Sequence, residues 1–199
     1  MIKSKVMTVV ICSNYAWTIY NFRMSLIRRL KSEGHKVIVV TQFDGYEKDI
    51  KPEVDQIRPL FISRKGINPF VDIFTVLHLV KYLLTLRPDA LLSFTIKPVI
   101  YGSIAAKIAN IRSIATITGL GTAFIADSWI TKIVKKLYWV ALSSVSIVFF
   151  QNRDDKDLFL SNNLVSADVC KLTPGSGIDT CQFPSRPLPF DAELTFLLI

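Results

Sequence analysis

Pro88-Asp89-Ala90-Leu91-Leu92-Ser93-Phe94-Thr95-Ile96-Lys97-Pro98 is the stretch that decides the fold. Ala90 to Phe94 is apolar on nearly every residue, as in a strand buried on both faces, where a half-solvated strand would alternate. A short turn follows, and Pro98, whose fixed φ suits the first turn of a helix, opens a helical stretch predicted over residues 99–109. A buried strand running through a few residues into a helix is one βα unit. The same grammar repeats on both sides. Upstream it predicts strands at 5–11, 37–40 and 57–62, with helices at 21–31 and Pro69–Leu86. Downstream it predicts strands at 114–117, 145–150 and 169–172, with helices at 128–143 and one capped by Asn152. Alternating strands and helices with short connections give an α/β fold, a Rossmann-like doubly wound parallel sheet.

Composition agrees with a packed domain. Half of the 199 residues are hydrophobic and a fifth are charged, which supplies a substantial core. The uncharged runs at 6–22 and 137–152 are broken by turn and cap residues and fall short of the roughly 20 apolar residues of a membrane span. Lys3 and Lys5 imitate the start of a signal peptide, but Ser13, Asn14, Asn21 and Arg23 interrupt it without a cleavage site. The chain is read as cytoplasmic. Cys12, Cys170 and Cys181 are widely spaced, with no CxxC and no histidine near them, so neither a disulfide framework nor a structural metal is expected. Residues 1–65 carry twelve Lys/Arg against six Asp/Glu, which is most of the net charge of +8. Such a surface attracts phosphates, whether of lipid head groups, diphosphate substrates or nucleic acid. No helix carries the dense basic stripe of a nucleic-acid module.

Ligands of such sheets bind beyond the carboxyl ends of the strands. The first of these loops, Ser13 to Arg23, has no glycine, which argues against the GxGxxG turn of a nicotinamide or flavin site; no cofactor is expected. It offers Asn14, Trp17, Asn21 and Arg23. Arg23 stands either as a bidentate phosphate ligand at a helix start or as a solvated charge beside aromatics that plug the end of the sheet; spacing leaves both open. Lys97 lies just past a strand end, an anion contact or an ordinary surface lysine. Thr118, Gly119 and Gly121 form a glycine turn that allows close approach of a ligand or simply reverses the chain. The helix at 128–143 mixes Trp129, Ile130 and Ile133 with Lys132, Lys135 and Lys136, the composition both of an interfacial helix and of a core helix with a solvated lysine face; the core reading is preferred. His35 and His78 support neither a Ser-His-Asp triad nor a metal site, so no catalytic residue is assigned.

Taken in order, Asn21-Phe22-Arg23, Gly34-His35-Lys36-Val37, Phe94-Thr95-Ile96-Lys97-Pro98, Thr118-Gly119-Leu120-Gly121-Thr122, Phe150-Gln151-Asn152 and Pro174-Gly175-Ser176-Gly177-Ile178-Asp179 closely resemble bacterial family 4 glycosyltransferases. The branch most similar extends undecaprenyl-diphosphate-linked sugars, among them N-acetylgalactosaminyltransferases acting on lipid-linked bacillosamine. The resemblance implies one half of the two-domain GT-B architecture. Residues 1–183 would be the acceptor-binding domain, 184–193 a Pro-rich linker, and 194–199 the first strand of a donor domain that is cut off. It further implies a retaining transfer, without a metal, from a nucleotide-sugar, expected to be a UDP-sugar, to a lipid-linked acceptor. Asn14, Trp17, Asn21, Arg23, Lys97, Thr118, Gly119 and Gly121 would hold the acceptor or its phosphates, and Gln151, Asn152, Ser176 and Gly177 would face the interdomain cleft. Many relatives carry a histidine near Thr118, where this chain has Thr-Gly, so no His-centred contact is carried over. The chain is expected to be inactive alone and peripheral on the inner face of the cytoplasmic membrane. The alternative is a non-catalytic accessory domain that binds a lipid-linked acceptor or a catalytic partner.

Overall fold

The computed structural model describes residues 5–63, 68–120, 124, 129–180, 185 and 187. They form a seven-stranded, wholly parallel sheet: β1 (Thr8–Tyr15), β2 (Lys36–Gln42), β3 (Gln56–Pro59), β4 (Ala90–Phe94), β5 (Arg112–Ile117), β6 (Ile147–Phe150) and β7 (Cys170–Leu172). The spatial order is β3-β2-β1-β4-β5-β6-β7. The chain therefore builds outward from β1 in one direction, returns, and builds from β4 in the other. β1 and β4 lie side by side with Ile11 opposite Leu92 and Cys12 opposite Ser93, and between them is the switch point where such sheets open a crevice.

Right-handed crossovers fix which face each helix covers. The first group is α1 (Ala16–Phe22), α2 (Met24–Ser32) and α3 (Glu47–Ile50), which pack Ala16, Ile19, Ile27 and Ile50 onto Val9, Ile11, Val37 and Val39. The opposite face receives α4 (Pro69–Leu86), α5 (Ile96–Ala109), α6 (Trp129–Leu142) and α7 (Arg153–Ser161). There Leu79, Leu83, Val99, Tyr138 and Phe159 pack with Val10, Cys12, Ile38, Val40 and Phe150. Odd residues of β1 face one layer and even residues the other, as the period of two requires.

The alternation expected from sequence is present, with local differences. β1 does not end at residue 11; it continues through Tyr15, pairing Ser13 with Thr41 and, after a register shift, Tyr15 with Gln42. The glycine-free segment expected as a loop is thus strand followed at once by α1, and Arg23 is the break between α1 and α2, with φ −129° and ψ −2°. β3 stops at Pro59, and Leu60 and Ile62 leave the sheet while staying buried in the core. α5 starts at Ile96, so Lys97 and Pro98 are inside its first turn and not ahead of it. α4 has Asn68 as N-cap, accepting from the Phe70 and Val71 amides, with Pro69 at its first position. By length and composition α4 is long and apolar enough to cross a membrane, a candidate that the uncharged runs at 6–22 and 137–152 did not reveal. The linker at 184–193, apart from residues 185 and 187, and the strand at 194–199 lie outside the described residues, as does Cys181.

Candidate functional site

The carboxyl ends of β1, β4, β5 and β6 surround a cavity of about 270 Å³ lined by Ser13, Thr18, Phe22, Arg23, Phe94, Thr95, Thr118, Gln151 and Ser176. It is smaller than the roughly 300–1,000 Å³ of a typical self-contained ligand cleft. Its position is dictated by topology: at the switch point α1 leaves one face and α5 the other, so no helix roofs the gap.

Arg23 is the dominant charge. The residue is 8% exposed, and its guanidinium lies 4.1 Å from the centroid of the Phe94 ring. Burial alone pulls its pKa down to about 10, with no carboxylate contributing. Among the described residues nothing ion-pairs with it or accepts its hydrogen bonds. Buried charges are normally paired, so a lone guanidinium facing a cavity is poised for an anion brought from outside. The break between α1 and α2 puts it there: Arg23 N–H donates to Ile19 at 2.8 Å and its carbonyl accepts from Ile27 at 2.9 Å, so the backbone is held while the side chain turns inward.

Hydroxyls and amides complete the wall. Ser13 Oγ and Thr18 Oγ1 are 2.6 Å apart, Thr18 also donates to the Tyr15 carbonyl at 2.7 Å, and Gln151 donates to Ser176 Oγ at 2.9 Å. Thr95 sits at φ +70° and ψ 159°, a region almost confined to glycine that costs a threonine about 1–3 kcal/mol. Its Oγ1 donates to the Phe94 carbonyl at 2.5 Å. The corner turns β4 abruptly into α5 and leaves the first α5 amides without a side-chain cap.

Of the residues singled out from sequence, Arg23, Thr118, Gln151 and Ser176 meet in this cavity. Gly177 follows Ser176 at φ +75°, and Gly119 follows Thr118 at φ +142°, both glycine conformations. Gly121 lies outside the described residues. The others lie off the wall. Lys97 turns to α4, where its Nζ is 3.0 Å from Asp72 Oδ1 and 5.9 Å from the Tyr101 ring. Burial, followed by the nearby Asp72 carboxylate, pushes the Tyr101 phenol well above the usual range. Asn14 accepts at 3.5 Å from Ser13 and Thr18. Trp17 is exposed and its amide donates to Asp44, Asn21 donates to the Trp17 carbonyl, and Asn152 caps α7 by accepting from the Asp155 amide at 2.7 Å. His35 accepts from the Met7 amide and His78 packs against Tyr82, both far from the cavity in role.

Sequence reasoning did not single out Ser13, Thr18, Phe94, Thr95 or Asp72. Asp72 had a signal, as the lone acid of an apolar helix. Phe94 and Thr95 stood in the motif that carries the resemblance, but the strained φ of Thr95 had no signal, because it exists only once β4 and α5 are both docked.

A family model described as Glycosyl transferase 4-like matches residues 9–152. The chain is 27% identical over 158 residues to the N,N'-diacetylbacillosaminyl-diphospho-undecaprenol alpha-1,3-N-acetylgalactosaminyltransferase of Campylobacter jejuni, covering 77% of this chain and 42% of that protein. Among solved structures it is similar to Anabaena Alr3699/HepE in complex with UDP-glucose, with TM-score 0.63 and 13% identity over 91% of this chain and 47% of the other. It is also similar to the UDP-GlcNAc 2-epimerase of Neisseria meningitidis bound to UDP-GlcNAc, with TM-score 0.58 and 18% identity over 84% and 46%. The chain thus spans less than half the length of these relatives, and at such identities the two structures establish the fold alone.

Proposed function

The chain belongs to the glycosyl transferase 4-like family, and from that premise we propose that it is the acceptor-binding half of a retaining glycosyltransferase whose acceptor is a sugar carried on a lipid diphosphate. The observation that carries this reading is Arg23, a buried guanidinium with no anion of its own among the described residues, facing a cavity at the switch point. A diphosphate supplies the missing charge in bidentate geometry. The Campylobacter relative, named for a diphospho-undecaprenol substrate, supports a lipid-linked acceptor here.

In this proposal the residues position and neutralise. Arg23 holds a phosphate of the acceptor; Ser13, Thr18, Thr118 and Ser176 hydrogen-bond its remaining oxygens or the adjoining sugar hydroxyls. The donor is a nucleotide-sugar, held by a second domain across the cleft. With retention on one face, the departing diphosphate takes the acceptor's proton, so this half needs no general base. The half is inactive by itself and works at the inner face of the cytoplasmic membrane, where its acceptor is displayed.

Titration calorimetry with inorganic pyrophosphate and with a short-chain polyprenyl-diphospho-N-acetylhexosamine tests the site. Arg23→Met should weaken both by at least about tenfold, the least that a charge-assisted hydrogen bond contributes. Equal binding by the variant, or no binding by the parent chain, would remove Arg23 from the assignment.

A further inference from the structure

α4 has an unpartnered apolar face. Phe70, Ile73, Phe74, Leu77 and Leu84 are exposed and fall at spacings of three, four and seven residues, one stripe of a helix. Phe70 is 84% exposed. Phe61, also exposed, is tied beside them, since Thr75 donates to its carbonyl at 3.0 Å. Only 22% of this apolar window is buried in the fold. The buried remainder shows that α4 does not leave the domain to span a bilayer: Asp72, Thr75, Leu79 and Leu83 point inward, and extraction would tear Asp72 from Lys97 and carry a carboxylate into hydrocarbon.

α6 repeats the pattern two helices along. It packs on α5, which packs on α4, so all three share one layer. It buries Thr131, Val134, Tyr138, Ala141 and Leu142, as the core reading required, yet Trp129 is 68% exposed and Ile130 and Ile133 are exposed beside it. Lys132 and Lys136 are exposed on the same helix. Neither helix carries an exposed acidic residue, Asp72 being buried, and Lys81 adds a further cation on α4. Both helices start at the carboxyl edge of the sheet, so Phe70 and Trp129 stand at the edge that holds the Arg23 cavity.

We propose that the α4–α6 layer docks on an anionic lipid bilayer, with Phe70, Ile73, Phe74 and Trp129 entering the acyl boundary and Lys132 and Lys136 meeting lipid phosphates. The charge decides for a bilayer over a protein partner. The exposed charges carried by α4 and α6 are all cations, while the neighbouring α7 carries exposed Asp154 and Asp157. An apolar stripe with cations on its own helices fits a surface that is apolar within and anionic outside. Such docking brings the cavity's edge to the interface from which a lipid diphosphate emerges, which deepens the acceptor reading above and rests on it for its setting.

Co-sedimentation of the full chain with phosphatidylglycerol/phosphatidylethanolamine vesicles and with neutral phosphatidylcholine vesicles reads the surface without any sugar transfer. The parent chain should pellet with the anionic vesicles. Phe70→Ser/Phe74→Ser should lower partitioning at least about tenfold, because binding scales with apolar area inserted. Lys132→Gln/Lys136→Gln should lower it about fivefold per lysine at low salt and little at high salt. Trp129 fluorescence, read in a Trp17→Phe/Trp139→Phe background, should be quenched by bromolipid. Because all these positions are exposed, circular dichroism should show the fold retained. Binding unchanged in the phenylalanine variant, no quenching of Trp129, a chain that stays in the supernatant, or self-association in sedimentation velocity that the phenylalanine variant abolishes would each overturn the proposal. Arg23→Met should pellet like the parent, so failure of the pocket and failure of the docking face are separate results.

Discussion

Replacing Arg23 by methionine should make the ligand-free protein more stable. Burial takes the guanidinium from its ordinary 12.5 to about 10, which at 1.36 kcal/mol per pH unit corresponds to a burden of about 3 kcal/mol on the folded state. The ring of Phe94 at 4.1 Å returns about 1–2 kcal/mol as a cation–π contact. Methionine keeps most of the apolar stem packing without the charge. The net expectation is a gain of about 1–2 kcal/mol, or a Tm higher by about 3–6 °C for a chain of this size. A folded-state pKa depressed in a base means that the charged form is the penalised one. The burden is therefore constant at neutral pH and fades only as pH rises through about 10, so urea midpoints at pH 7 and pH 8 should show the same gain. Pyrophosphate should reverse the order: at ten times its Kd it stabilises the parent by about 1.4 kcal/mol and leaves the variant unmoved. If Arg23→Met lost stability without ligand, the guanidinium would have a structural partner and its reading as an empty anion site would be refuted.

Three further expectations concern the frame of the sheet and its helices. A methyl group at Gly102 would lie 2.7 Å from Ser93 Oγ and 3.3 Å from Leu91 Cδ2, so Gly102→Ala should destabilise by about 1–3 kcal/mol despite better helix propensity. Ser93→Ala should recover part of that loss, because Ser93 Oγ is buried without a partner among the described residues; denaturation of the double mutant showing no coupling would contradict the close approach of α5 to β4. Asp55 accepts from Lys31 Nζ and from the Val37 amide at 2.7 Å, which hold its carboxyl below the usual range, the lysine most strongly. Its stabilisation is full above about pH 4 and is lost as pH falls below that, so the difference in urea midpoint between the parent and Asp55→Asn should shrink on acidification, and a constant difference would count against the pairing. Asn152→Ala removes the α7 cap and should cost about 1 kcal/mol while leaving pyrophosphate affinity unchanged in calorimetry; a loss of affinity would return Asn152 to the binding site.

The alternation of buried runs and helical spacings determined the α/β class from sequence, because a strand covered on both faces must be apolar throughout and its helices must be apolar on one side. Pro69 marked the start of α4, and Asn152 that of α7, since capping and the first turn are decided by neighbours in the chain, although Asn68 as the α4 cap emerged only in the structure. The order of motifs from Asn21 to Asp179 carried the family resemblance, and Arg23, Thr118, Gln151 and Ser176, far apart in sequence, met at the carboxyl edge because the switch point of a doubly wound sheet gathers strand ends.

Only the tertiary structure decided the rest. Lys97, by its spacing either an anion contact or a surface lysine, pairs with Asp72, because α5 begins at Ile96, two residues ahead of Pro98, and the packing of α4 on α5 brings a carboxylate 25 positions away into reach. Arg23 is buried, not solvated, because the chain breaks between α1 and α2 at that residue, a break that no glycine or proline announces. The strained Thr95 and the uncovered stripe of α4 were equally invisible. Hydrophobic spacing says that a helix has an apolar face; which apolar residues find a neighbour is a property of the assembled layers, since burial is decided by what other segments arrive to cover it.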